Sequence, residues 1–289
     1  MLAPNELRSL EKLRLAPRKS FAGKIRGERL TKTKGISIEF ADYREYTDGD
    51  DLRHLDWNVL ARLDTPVLRT YQDEEDLAVY LLVDASASMA FGEPTKLASA
   101  MKLACAIGYV ALLGGDIVYP LVLGSREPTI PALRGRAGFP KLVGWASKER
   151  DLEKGKESLS GALRDFTQSR ARPGLVVLIS DGLDPGITAS LRAVAARGHE
   201  VLMLQVLSAP ELDPDLEGDL KLIDSENGGV AEVTANGATL LAYRKRLAEH
   251  NAGISDGLRR AGGRYALTQT GEKLEQIIRD VFKREGWMR

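Results

Sequence analysis

Leu77-Ala-Val-Tyr-Leu-Leu-Val83, followed at once by Asp84-Ala-Ser86-Ala-Ser88, is the stretch that decides the fold. An apolar run without alternation predicts a strand buried on both faces, as in a parallel sheet covered by helices. Residues 95–113 then carry apolar positions at helical spacing, from Leu97 through Ala104 and Ile107 to Leu112, and Gly114-Gly115 ends that helix. Residues 117–123 predict a second strand, and Pro120 within it predicts a sheet edge or a bulge. A loop rich in Gly and Pro (Gly135, Gly138, Pro140) leads to short helices near 142–147 and 158–166. Leu175-Val-Val-Leu-Ile179 repeats the buried-strand pattern and runs into Ser180-Asp181-Gly182. A helix near 188–197 and a strand at 200–207 follow. This alternation predicts an α/β fold: a doubly wound, mostly parallel sheet with helices on both faces.

Beyond Pro210 the pattern changes. Residues 220–224 and 230–234 flank Ser-Glu-Asn-Gly-Gly, a hairpin signal, so an insertion is expected near 219–235. A helix over 240–261, a strand at 264–268 and a final helix from Glu272 to about Arg284 complete the chain. At the other end, Asn5 reads as an N-cap, with Leu7, Leu10 and Leu13 at helical spacing and Pro17 as the stop.

Composition narrows the function classes. The 289 residues hold 41 Lys+Arg and 41 Asp+Glu, so the chain lacks the basic balance of a nucleic-acid binder. One cysteine, Cys105, leaves no disulfide framework and no multi-cysteine zinc site, and it reads as core. The three histidines (His54, His199, His250) do not pair at metal-ligand spacing, so none is nominated. No apolar run approaches the roughly 18–20 residues that cross a bilayer, and no signal peptide is read; the expectation is a cytoplasmic protein without a membrane span. Charge is zoned: residues 1–35 balance at +7 and residues 36–76 at −8. The expected organisation is a basic N-terminal helix or arm (1–35), an added β element (36–76) and the sheet domain (77–289). The first two are expected to pack on each other, with anionic partners for 1–35 as the alternative.

The chemistry-bearing residues lie at strand ends, where doubly wound sheets bind ligands. The Asp84-x-Ser86-x-Ser88 spacing lets one turn aim a carboxylate and two hydroxyls at a single point. Hard oxygen donors of this kind suit Mg²⁺ or Mn²⁺, with Asp181 joining directly or through water. The same residues also suit a plain structural role, capping the next helix and satisfying loop amides.

Asp84, Ser86 and Ser88 with a later strand-end Asp181 resemble the metal-ion-dependent adhesion site of von Willebrand factor A-like domains. The upstream stretch Glu39-Phe-Ala-Asp-Tyr-Arg-Glu-Tyr-Thr-Asp-Gly-Asp-Asp-Leu-Arg-His-Leu-Asp-Trp57, continuing through Ala61-Arg62, resembles the signature of the family catalogued as domain of unknown function 58. That resemblance spans nearly the whole chain. It implies a von Willebrand A-like fold with a small added β element, and association with a MoxR-type AAA+ ATPase in maturation of other proteins. One departure stands out: where the adhesion site has a threonine, this chain has Glu157 followed by Ser158. Glu157 either binds the ion, blocks a partner's carboxylate, or points away while Ser158 substitutes. Within the signature, Arg44, Asp50, Arg53 and Asp56 are expected to form a charge-paired structural network, with a catalytic cluster as the alternative, and Trp57 to pack at the junction. Asp73-Glu-Glu-Asp76 reads as a solvated acidic edge.

Three functions follow. The first is a non-enzymatic adaptor whose Mg²⁺ or Mn²⁺ is completed by a partner's Asp or Glu. The second is a metal-free scaffold, suggested by Glu157. The third is a Mg²⁺-dependent hydrolase with Asp84 as nucleophile or ligand, for which the sequence offers no general base and no phosphate loop.

Overall fold

The computed structural model describes residues 2–19, 39–72, 76–124, 129–150, 152 and 158–289. In chain order its elements are α1 (Pro4–Leu10), β1 (Glu39–Glu45), α2 (Trp57–Leu63), β2 (Val67–Gln72), β3 (Ala78–Asp84), α3 (Lys96–Gly114), β4 (Ile117–Leu123), β5 (Leu133–Arg134), α4 (Phe139–Ala146), α5 (Leu159–Gln168), β6 (Leu175–Ser180), α6 (Ile187–Ala196), β7 (Glu200–Leu207), α7 (Ala209–Leu212), β8 (Gly218–Ile223), β9 (Val230–Ala235), α8 (Gly237–Arg260), β10 (Arg264–Gln269) and α9 (Leu274–Ile277). They fall into two compact units, Met1–Lys19 with Leu77–Arg289, and Ser20–Asp76.

The larger unit is a mixed α/β domain. Its six-stranded sheet has the order β10-β7-β6-β3-β4-β5, parallel except for β5. Every residue of β3, β6 and β7 is buried, as the unalternating apolar runs require. Alternate side chains enter two cores. Val79, Leu81 and Val83 meet α3, α4 and α9, while Tyr80 and Leu82 meet α5, α6 and α8. The chain leaves β3 toward β4 and later returns through β6 on the other side of β3. The sheet's connections therefore reverse between β3 and β6.

Pro120 sits where the expectation put it. The two-residue β5 pairs only Ile117 and Val118, so among the described residues no strand flanks β4 at Pro120. The hairpin also forms: β8 and β9 pair antiparallel from Gly218↔Ala235 to Ile223↔Val230. Helix α3 has the length and apolarity to cross a membrane, but it lies against the sheet with its Ala, Leu and Ile side chains in the core.

The N-terminal helix differs from expectation. It is capped at Ala3, with Pro4 in its first turn and the Glu6 carboxylate accepting from the Ala3 N–H at 2.7 Å. It ends at Leu10 rather than at Pro17. Leu15 instead bridges Met288 of the C-terminal tail, which competes with a further helical turn. The arm expected over 1–35 also divides at Lys19, its first part belonging to the sheet unit. The reason is Glu200, fully buried at the start of β7. Its carboxylate accepts from the N–H groups of Arg18 and Lys19 at 2.7 and 2.8 Å and pairs with Arg264 at 2.7 Å. The expected packing of 1–35 on 36–76 falls on residues 20–38, outside the described residues, as do positions 73–75 of the acidic edge.

In the smaller unit β1 and β2 form an antiparallel pair with a register shift between Phe40 and Asp42. Of the expected charge network the Arg44–Asp50 pair forms, and Arg53 and Asp56 are engaged locally. Arg44 binds Asp50 at 2.7 Å, Arg53 binds Asp51 at 2.5 Å, and Asp56 caps α2 by accepting from Asn58 N–H and Val59 N–H. Trp57 opens that helix and is 62% exposed.

Glu200→Ala would strip Arg264 of its carboxylate and free the 16–19 segment. We expect a loss of about 3–5 kcal/mol in urea unfolding, with faster proteolytic cleavage near Arg18. Unchanged cleavage would remove Glu200 from that anchoring role.

Candidate functional site

The reversal between β3 and β6 places their carboxyl ends side by side, with Val83 level with Ile179. Asp84 ends β3 and is 2% exposed. Its Oδ1 accepts from the Ser86 N–H at 2.9 Å and its Oδ2 from the Ser180 hydroxyl at 2.6 Å. Ser86 Oγ and Ser88 Oγ lie 3.1 Å apart. Asp181 follows β6, equally buried, and its charge acts on Asp84. Gly182 has φ +67°, and a Cβ there would meet the Met203 methyl at 2.5 Å, so this turn requires glycine. The Ser180 Oγ also accepts from Gly182 N–H, tying the two strand ends together. The sequence-nominated residues Asp84, Ser86, Ser88 and Asp181 thus come to one place.

Ser158 lies at the start of a helix. It is the N-cap of α5, where its Oγ accepts from Gly161 N–H at 3.1 Å. The next turn is bound by Asp184, whose Oδ2 accepts from Ser160 N–H and Ser160 Oγ, both at 3.0 Å. Glu157 lies outside the described residues.

Several site residues carried no motif. Lys96 is fully buried in the first turn of α3, and its ammonium donates to Asp181 Oδ2 at 2.7 Å and to Glu211 Oε1 at 2.5 Å. Burial alone would push Lys96 down, but the two carboxylates hold it above its ordinary pKa. Glu211 is itself fixed by Ser208, whose N–H and hydroxyl both donate to Oε2. The Asp181 carbonyl accepts from Gln205 Nε2 at 2.6 Å, and His250 Nε2 donates to the Gly182 carbonyl at 2.7 Å. From the hairpin turn, Glu226 Oε1 accepts from the Ser88 N–H at 2.7 Å. A lysine at the positive end of a largely apolar helix is the one signal in the sequence that Lys96 needs a buried partner.

The two aspartates therefore differ. Asp181 faces an internal cation. Asp84 takes neutral donors from Ser86 and Ser180, and burial, followed by repulsion from Asp181, pushes its pKa up to about 6.

The donor set can be tested against a divalent cation. Adjacent ligands in an octahedron with about 2.1 Å bonds stand about 3 Å apart, which matches the spacing of the two serine hydroxyls. Asp84, with Ser86 and Ser88, fits a hard cation that keeps several waters. Asp181 fits only as an outer partner, because an ammonium already holds it. Among the described residues no group of three or more His, Cys, Asp or Glu side chains is arranged to hold a metal.

Comparison with known proteins adds the following. The family described as "Protein of unknown function DUF58" matches residues 42–253. An uncharacterized protein of Mycobacterium tuberculosis (strain ATCC 25618 / H37Rv) is 31% identical over 288 residues, covering 97% of this chain and 90% of its own. An uncharacterized protein of Mycobacterium avium is 33% identical over 159 residues, 54% of this chain and 93% of its own. Among solved structures, the conserved hypothetical protein BatB from Bacteroides thetaiotaomicron aligns over 73% of this chain and 98% of its own, at 17% identity and a TM-score of 0.44. A likeness that remote does not bear on the site.

Two outcomes are expected. Lys96→Met leaves Asp181 and Glu211 without their cation and costs about 3–5 kcal/mol in denaturant unfolding. For Asp84, the folded chain keeps a proton between about pH 4 and 6 that the unfolded chain has released. Stability therefore falls as pH rises through that window and levels off above it. Asp84→Asn removes this dependence, so in chelator its stability relative to wild type rises from pH 4 to 6, by up to about 3 kcal/mol. A flat difference across the window would rule out the raised carboxylate.

Proposed function

The chain belongs to the DUF58 family, and from that premise we propose that it is a non-enzymatic interaction adaptor with a von Willebrand A-like sheet domain. On this reading its Asp84 loop, a metal-ion-dependent adhesion-type site, takes Mg²⁺ or Mn²⁺. The observation that carries the reading is the convergence of Ser86 and Ser88 on the buried Asp84 carboxylate, which has no paired cation among the described residues.

Asp84 and the two serines would hold the ion, and Asp181 would steady it from the outer shell. When bound, the ion supplies an electrophilic position for an incoming carboxylate from a partner's Asp or Glu, because the serine ligands are neutral. The chain's own residues orient the site: Ser180 fixes one Asp84 oxygen, the Ser86 amide fixes the other, and Lys96 keeps Asp181 from competing. The partner we favour is a MoxR-type AAA+ ATPase in the cytoplasm, acting in maturation or assembly of other proteins. This follows the family resemblance.

One observation favours a second reading. Lys96 already neutralises Asp181, so a metal-free scaffold of the same fold needs only Asp84 protonated or hydrogen-bonded. Calorimetric titration separates the two. The adaptor predicts saturable Mg²⁺ or Mn²⁺ binding that Asp84→Ala abolishes while the far-ultraviolet spectrum is retained. It also predicts chelator-sensitive binding of the purified ATPase. Absence of saturable ion binding by the wild-type protein would leave the scaffold.

A further inference from the structure

Glu226 sits at the tip of the β8–β9 hairpin, 138 residues from Ser88 in sequence, yet its Oε1 accepts from the Ser88 N–H at 2.7 Å. The turn that presents it is built for the purpose. Asp224 Oδ1 accepts from the N–H groups of Glu226 and Asn227, and the Asn227 Oδ1 accepts from Gly229 N–H at 2.6 Å. The strands behind the turn are poorly buried: Ile223 is 66% and Val230 56% exposed. An isolated two-stranded hairpin is marginal in water, and thinly packed elements open at low free-energy cost. The hairpin is thus a stiff tip on a weakly held arm, delivering one carboxylate to the Asp84 loop.

We propose that Glu226 is an intramolecular occupant of the carboxylate-accepting mouth of this site, and that an acidic side chain of the partner docks by displacing it together with the hairpin. This deepens the adaptor reading and rests on it for the partner's chemistry. The competition itself concerns the Ser88 amide and holds with or without an ion. A charge-assisted hydrogen bond of this type corresponds to about a tenfold or greater bias toward the closed arrangement.

The test uses the full chain, wild type and Glu226→Gln, with the peptide acetyl-Gly-Gly-Glu-Gly-Gly-amide and its Gln counterpart as control, in Mg²⁺ and in chelator. Binding is read from the Ser88 amide resonance, and opening from hydrogen exchange over residues 218–235. The Glu peptide should bind Glu226→Gln about tenfold or more tightly than wild type. Hairpin exchange should be faster in the variant, and faster in wild type at saturating peptide. Equal affinities, no binding of the Glu peptide to the variant, or unchanged exchange would each overturn the proposal. A gain that persists in chelator, in a protein that takes up no Mg²⁺, would sink the ion bridge and leave the displaced hairpin standing. Mg²⁺ binding without the gain would do the reverse.

Discussion

Two parallel strands cannot lie side by side, both fully buried, without bringing whatever follows them to the same edge of the sheet. Here that edge receives two aspartates, one ending β3 and one following β6. A buried carboxylate needs a cation, a proton or several hydrogen-bond donors. The fold meets that need differently at each position. Lys96 reaches Asp181 from the start of α3, and Glu211 shares the ammonium. Asp84 is left with hydroxyl and amide donors from Ser180 and Ser86. On the adaptor reading, this imbalance is what suits the Asp84 loop, rather than Asp181, to a cation.

Much of this was legible in the sequence because it rests on short-range patterns. Unalternating apolar runs marked β3 and β6, and the Asp-x-Ser-x-Ser spacing marked the loop that follows β3. Pro120 marked the strand beside the sheet edge. What escaped were contacts between residues far apart in the chain. Lys96 and Asp181 are 85 residues apart, and Ser88 and Glu226 are 138 apart. No local pattern encodes such a pairing when both members are common residue types. The N-terminal helix failed for a related reason. Leucine spacing favoured helix through Leu13, but pairing of Leu15 with Met288 and the grip of Glu200 on Arg18 and Lys19 hold that stretch against the sheet unit instead. Arg53 also pairs with Asp51, two residues away, a partner that an exposed turn supplies without any motif.

The parts of the site also differ in how firmly they are held. Asp84, Ser180, Asp181 and Lys96 are each at most 2% exposed and tied to strands or to a long helix, so their geometry is as rigid as the core. Ser88 takes its carboxylate from a hairpin whose strands are largely in solvent. The Ser88 amide, in the loop that follows Asp84, thus meets a carboxylate that can leave without disturbing those buried groups. On the adaptor reading proposed above, the exposed strands behind Glu226 make its contact with Ser88 the one most readily given up. That places the exchangeable element in the β8–β9 arm rather than in the sheet.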